Sequence, residues 1–298
     1  MTELSAVSPD DRGTTSDHTR EPIPGLPFMD IRACVEPAVQ LGADRGWNLA
    51  DVRWDAIQPG TLTKSDEFVI RFTTFIEDHI PGYVTSLLEN FPVVGEDIDL
   101  DEFCGNREYF RFLVAWAYDE ERHASALTHY QTAAGLADEE ELLRELAAEG
   151  RKQFQELPDT PLEAFVYTMV QEKATHLFYQ RFHAVAREPV LRDLLQRLGR
   201  DEARHFSLYR DLVAAYLRRH GTRTLPHVKN VLENFKMPLT ASLTDYWKWS
   251  LCAPKSVRFD VTDAYEPVGR LVRELVDSPG NPDVDDLLSF ITEMRQLA

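Results

Sequence analysis

Two five-residue strings in this chain carry side chains of the kind that hold metal ions. They are Asp119-Glu120-Glu121-Arg122-His123 and Asp201-Glu202-Ala203-Arg204-His205. In each, a Glu and a His stand three residues apart. On an α-helix that spacing puts both on one face, about one turn apart. Two such pairs on facing helices, with a lone Glu from each of two further helices, make a carboxylate site for two metal ions inside a bundle. A single charged string is usually a helix face laced with ion pairs. Here the string is repeated, and each copy follows a helical segment with a lone Glu, Glu77 and then Glu172.

The expected ligands are therefore Glu77, Glu120, His123, Glu172, Glu202 and His205. Four carboxylates balance two divalent cations, whereas without metal they would repel and some would take up protons. Carboxylate with imidazole suits iron or manganese, and no cysteine is placed to give zinc-thiolate or iron–sulfur chemistry. Asp119 and Asp201 each precede a ligating Glu. We expect each to hold the outer ring nitrogen of the histidine in the other copy, Asp201 for His123 and Asp119 for His205. Arg122 and Arg204 then fix carboxylates in place.

Four long helices must position these residues. A helix over 65–90 has N-caps on offer at Thr63, Ser65 and Asp66 and contains Glu77. Pro81 lies four residues later and removes the donor for the Glu77 carbonyl, so the helix should be distorted beside a ligand. The second spans about 106–132 and ends before Gly135. The third begins at Thr160-Pro161, with Glu163 completing a capping box, and reaches about 187 with Glu172 inside. The fourth follows Glu188-Pro189 and ends at His220-Gly221. A short helix over 28–45 precedes the four, and an acidic one over 138–155 lies between the second and third. Weaker helical patterns follow near 225–236, 264–276 and 283–296, with Trp247 and Trp249 in an irregular stretch. No strand pattern stands out. The fold expected is all-α: a ferritin-like four-helix bundle over 65–220 with additional N- and C-terminal helices.

The chain has 298 residues, 43% hydrophobic, and a net charge of −18. It can build a sizeable core, expected as one domain over 26–298. Residues 1–25, rich in Ser, Thr, Asp and Pro, read as a disordered arm with no secretory signal. The acidity argues against nucleic acid and anionic membrane as partners. No apolar run is long enough to span a bilayer. Cys34, Cys104 and Cys252 are odd in number and far apart, as in a reduced, cytoplasmic protein.

In order and spacing, Ile76-Glu77-Asp78-His79-Ile80-Pro81, the Asp119–His123 block, Gln171-Glu172-Lys173-Ala174-Thr175 and the Asp201–His205 block resemble the soluble acyl-acyl-carrier-protein desaturases. Trp47-Asn48-Leu49-Ala50-Asp51 is similar to a Trp-containing segment ahead of that family's first bundle helix. The resemblance covers roughly residues 45–215. It implies two iron ions, O2 as co-substrate, and insertion of a double bond into an acyl chain carried on acyl carrier protein. It also implies a ferredoxin-type electron donor and a homodimer. Thr175 matches a hydroxyl on the oxygen-binding side of the cluster, and Trp47 a residue linked to electron supply through Asp201 and His123. An acidic carrier needs a local basic patch, for which Arg218, Arg219, Lys229, Lys236, Lys248, Lys255 and Arg258 are candidates.

His176, one turn after Glu172, departs from the family pattern and reads as an extra ligand or a partner to one, or as a satisfied buried histidine. It keeps open a related di-iron oxygenase, a hydroxylase or an N-oxygenase. Against the N-oxygenase, Leu198 stands where that group has an additional His. An iron-storage bundle is a further alternative, opposed by the Trp47 segment and the long stretch after Gly221. A metal-free structural bundle is the last.

Overall fold

The computed structural model describes residues 20–276 and 280–297. The helices are α1 (Phe28–Arg45), α2 (Lys64–Glu77), α3 (Ile80–Asn90), α4 (Leu100–Ala133), α5 (Glu139–Gly150), α6 (Pro161–Val185), α7 (Pro189–His220), α8 (Leu225–Asn234), α9 (Tyr246–Val257), α10 (Glu266–Leu275) and α11 (Pro282–Leu297). Between α1 and α2 the chain makes three short 3-10 turns. Among the described residues there is no strand, and no helix is long and apolar enough to cross a membrane.

Four helices form the frame. α6 lies along α7, α2 lies along α4, and α4 meets α7. α1 covers α4 and α7, α8 and α10 flank the α6–α7 pair, and α9 bridges α2 and α6. One end of the bundle is filled by aromatic rings. The Tyr109 and Tyr209 hydroxyls are 2.8 Å apart across α4 and α7, and Phe91 stacks on Phe165 at 5.0 Å. These rings bury large apolar areas and still pair their polar tips.

The start of α2 is set by Thr63. Its hydroxyl accepts from Asp66 N at 3.1 Å, and Asp66 Oδ2 accepts from Thr63 N at 2.8 Å, a reciprocal cap. The expected distortion at Pro81 is a full break: α2 ends at Glu77 and α3 starts at Ile80. Tyr83 Oη donates to the Ile76 carbonyl at 3.0 Å and takes up one acceptor that the break frees.

Four expectations are corrected. α4 starts at Leu100 under an Asp99 cap and runs through Gly105, where a Cβ would come 3.1 Å from Ile31 Cδ1, so the glycine admits α1 to close range. Glu163 does not close a capping box: its carboxylate turns to His227 Nδ1 at 3.0 Å and to Arg20 Nε at 3.4 Å. The stretch holding Trp247 and Trp249 is helical, because Trp249 packs on Phe68 and Phe72 of α2 at 4.5 and 5.9 Å. Tertiary packing there outweighs Pro254, which weakens the local pattern. Of the expected disordered arm, residues 1–19 lie outside the described residues, while residues 20–25 run along the bundle. The Arg20–Glu163 pair and the bond between His227 Nε2 and the Glu21 carbonyl (3.0 Å) hold them there.

Thr63→Ala should lower stability by about 1 kcal/mol through loss of the α2 cap. Chemical denaturation of the two proteins side by side measures it, with the midpoint shifting and the slope unchanged.

Candidate metal centre

The break after Glu77 leaves its side chain at the C-terminal end of α2, pointing into the bundle. Glu120 and His123 face it from α4, Glu172 from α6, and Glu202 and His205 from α7. All six are buried. They form two groups that share Glu120 and Glu202: Glu77, Glu120, His123 and Glu202 on one side, and Glu120, Glu172, Glu202 and His205 on the other. Within each group the ligand atoms lie within 4.8 Å of one another.

The distances define two subsites. His123 Nδ1 is 3.5 Å from Glu77 Oε2, 3.5 Å from Glu120 Oε2 and 3.4 Å from Glu202 Oε1. His205 Nδ1 is 3.0 Å from Glu120 Oε1, 3.5 Å from Glu172 Oε2 and 3.9 Å from Glu202 Oε2. Glu120 and Glu202 thus turn one oxygen to each histidine and are placed to bridge. Glu77 and Glu172 each serve one side. His123 Nδ1, His205 Nδ1, Glu172 Oε2 and Glu202 Oε1 are buried and find no hydrogen-bond partner in the protein. Orphaned buried polar atoms are costly, and four converging on one point fit a pair of cations. This donor set suits a dinuclear metal site.

Around the cluster lies a charged layer. Asp201 Oδ2 is 3.1 Å from His123 Nε2, and Asp119 Oδ2 is 3.3 Å from His205 Nε2. Each aspartate therefore reaches across from α7 to α4 or back. Arg122 bonds Asp119 at 2.6 Å and Asp201 at 2.9 Å, and Arg204 also pairs with both. Two arginines neutralise two aspartates, and the outer ring nitrogens are fixed while the inner ones face the centre. Trp47 Nε1 donates to Asp201 Oδ2 at 2.8 Å, so Trp47, Asp201 and His123 form one continuous line.

Two further contacts carried no motif signal. Trp116 Nε1 donates to Glu172 Oε1 at 2.9 Å, and the Tyr179 hydroxyl donates to Glu77 Oε1. Helical spacing could have pointed to both: Trp116 is one turn before Glu120, and Tyr179 is two turns after Glu172. His176 lies outside both ligand groups. It faces α7, where its Nδ1–H donates to the Gly199 carbonyl at 2.7 Å, so it is neither a ligand nor a partner to one. Thr175 lines the space beside Glu77, and its hydroxyl donates to the Gln171 carbonyl at 3.1 Å.

That space is an apolar cavity of about 290 Å3 between α2, α6 and α9, lined by Phe72, Ile76, Phe178, Met237 and Tyr246 and reaching Glu77 and Thr175. A groove of about 690 Å3 lies on the other side of the cluster, over Trp47, with Arg45, Arg197, Arg200 and Arg204 along it. The seven basic residues considered as one patch are spread over several elements. Arg219, Lys229 and Lys248 are engaged by Asp30, Asp286 and Asp245, while Lys255 and Arg258 lie at the C-terminal end of α9.

Burial pushes the Glu77 carboxyl up to about 7, despite the nearby His123 ring and a hydrogen bond from Tyr179. It raises Glu202 well above the usual range too, helped by Glu120 and Glu172. Burial opposes charge on His123 and His205, but the surrounding carboxylates win and both are held well above the ordinary imidazole value. The metal-free cluster therefore keeps protons at neutral pH. Ligation needs the deprotonated forms, so metal uptake must release protons and affinity must rise with pH. Titrating the metal-free protein with ferrous or manganous ion should show tightening as pH rises through about 7, where Glu77 loses its proton, with proton release seen in buffers of different ionisation enthalpy. Asp201→Asn should weaken metal binding about 10- to 100-fold by freeing His123 to turn, with the helical circular dichroism kept.

Known proteins share this chain's family pattern and fold. A family model described as fatty acid desaturase matches residues 56–269. DesA2 of Mycobacterium tuberculosis, described as an acyl-[acyl-carrier-protein] desaturase, is 27% identical over 180 residues, which cover 57% of this chain and 58% of DesA2. DesA1 of the same organism, described in the same way, is 22% identical over 170 residues, covering 54% of this chain and 47% of DesA1. These matches thus span well under two thirds of each relative's length. The X-ray structure of DesA2 superposes with a TM-score of 0.55 at 19% identity, covering 88% of this chain and 98% of that one. An R2-like ligand-binding oxidase variant reconstituted with a Mn/Fe cofactor superposes at 0.51 and 16% identity, covering 90% and 91%. The two superpositions show a shared fold. With the family model matching most of its length, the chain belongs to the fatty acid desaturase family.

Proposed function

We propose that this protein is an O2-dependent di-iron desaturase acting on an acyl chain carried by acyl carrier protein. Glu77, Glu120, His123, Glu172, Glu202 and His205 would hold the two irons. The observation that carries the reading is the placement of Glu77 and Thr175. Glu77 belongs to one subsite, Thr175 lies beside the cluster, and both line the apolar cavity. A storage bundle has no use for such a cavity, and with His176 turned to Gly199 no extra ligand favours a different oxygenase.

Two reduced irons in this site would supply the power to take two hydrogens from a methylene pair. The overall balance is one methylene pair, one O2, two electrons and two protons giving one double bond and two waters. The chain's own residues do the rest. Phe72, Ile76 and Phe178 exclude water and hold an alkyl chain beside the cluster. Tyr179 and Trp116 fix Glu77 and Glu172, the two carboxylates that serve one side each. The Thr175 hydroxyl, released from the Gln171 carbonyl by rotation about χ1, can deliver a proton into the cavity. Asp201 orients His123 and links it to Trp47.

The arginine groove over Trp47 suits an acidic, ferredoxin-type electron donor. Arg45 and Arg200 are exposed and, among the described residues, in no ion pair, while the protein as a whole carries −18. Lys248, Lys255 and Arg258 on α9 suit an acidic carrier at the other side. Val114 and Tyr118, exposed one turn apart on α4, offer a face for a homodimer. The three unpaired cysteines suit the cytoplasm.

The test supplies the iron-loaded protein with a ferredoxin-type donor, O2 and a panel of acyl carrier proteins, and follows products by mass spectrometry. Loss of two hydrogens is expected; gain of one oxygen, or no change on any carrier, defeats the reading. Glu120→Ala should leave less than one iron per chain and no product. Arg200→Glu should slow turnover about tenfold at low salt through weaker electron delivery, with the gap closing as salt rises.

A further inference from the structure

The two cluster histidines have oxidisable rings on different sides. His123 is joined through Asp201 to Trp47. Beside His205 stands a pair of tyrosines. Tyr209 lies one turn after His205 on α7. Phe112 of α4 packs edge-on against both, 6.3 Å from the His205 ring and 5.7 Å from the Tyr209 ring. In the other copy of the repeat the matching position, one turn after His123, is Leu127. The Tyr209 hydroxyl is 2.8 Å from that of Tyr109, and both rings are buried. Tyr109 also lines a groove at the end of the bundle, where Asp99, Asp101 and Glu102 are exposed. Packing alone does not ask for the two hydroxyls. Phenylalanine at both positions would bury the same rings and leave no polar atom to satisfy.

Chemistry strong enough to take hydrogen from a methylene pair can also take it from a phenol, whose O–H bond is weaker. With no acyl chain in the cavity, that power falls on the protein. We propose that Tyr209 and Tyr109 form a redox pair that draws oxidising equivalents away from the cluster when O2 reacts there without an acyl chain, and carries them to the groove. The inference rests on the iron pair and O2 of the reading above, and not on the acyl substrate. An isolated charge is costly in so buried a place, so the electron and the proton leave together. Tyr209 gives up its electron toward the cluster and, through the Tyr109 hydroxyl, a proton to the water of the groove. Tyr109 then passes a hydrogen atom to the Tyr209 oxygen across the 2.8 Å contact, which leaves the unpaired electron on Tyr109. A thiol in solution restores Tyr109 by giving it a hydrogen atom. For each O2 taken to two waters, two ferrous ions and two such tyrosine oxidations supply the four electrons. The two protons that the tyrosines release and two more from solvent supply the four protons.

The test mixes the reduced, iron-loaded protein with O2, without acyl chain or thiol, and freezes it at short times for electron paramagnetic resonance. An organic radical is expected, and its signal should narrow in protein made with ring-deuterated tyrosine. Added thiol should shorten its life. Tyr209→Phe should abolish the signal while iron content and helical circular dichroism stay unchanged. Oxygen should then appear on Trp116, which donates to Glu172, when peptides of the exposed protein are weighed by mass spectrometry. Tyr109→Phe, a second variant that removes the way out for the proton, should slow formation of the radical. Iron that O2 oxidises with no organic radical, or a signal that either variant leaves unchanged, overturns the inference and leaves the desaturase reading standing. Reduced iron that O2 does not oxidise overturns both.

Discussion

Everything else in this protein is arranged around the burial of four carboxylates and two imidazoles at one point in a helical bundle. Unbalanced, that charge would push the helices apart or be quenched by protons, and the raised Glu77 and Glu202 values are the mark of that tension. Two divalent cations would remove it. The charged layer outside obeys the same rule by a different route: Asp119 and Asp201 are matched by Arg122 and Arg204, so the layer is neutral without metal. One layer balances itself, and the other waits for a partner.

The crossing of the aspartates has a structural consequence. Asp201 on α7 holds a histidine of α4, and Asp119 on α4 holds a histidine of α7. The two strings are thereby tied to each other, and neither half of the site is complete alone. An internal repeat in the sequence becomes an approximate two-fold in the chemistry. The surroundings break that symmetry. Beside Glu77 the helix stops, and a cavity opens between α2, α6 and α9. Beside His123 the line through Asp201 leads to Trp47 and the arginine groove. On the desaturase reading, a carbon chain and electrons would thus have separate approaches to one cluster. That separation suits chemistry in which water must be kept from the chain while charge is delivered from outside.

The two Glu/His strings, their helices and a distortion near Pro81 were legible in the sequence because each depends on local rules. A spacing of three on a helix, a proline without a donor and a Thr cap all act within a turn or two. The Asp-to-His pairings could be anticipated from the repeat, since one copy predicts the other. Trp116 and Tyr179 were not singled out, although both lie on ligand-bearing faces, because nothing local distinguishes a tryptophan that bonds a carboxylate from one that fills space.

What the sequence by itself determined is the inventory and its register: which six side chains share the inward faces of four helices, and that the balance of charge calls for two cations. Only the tertiary structure decided which carboxylates lie between the two histidines, where His176 points, that Trp247 and Trp249 belong to a helix, and that an apolar cavity opens beside Glu77. The reason is range. Helical phase is fixed by neighbours a few residues away, whereas the face His176 presents to Gly199 and the folding of α9 onto Phe68 and Phe72 are set by contacts between segments far apart in the chain.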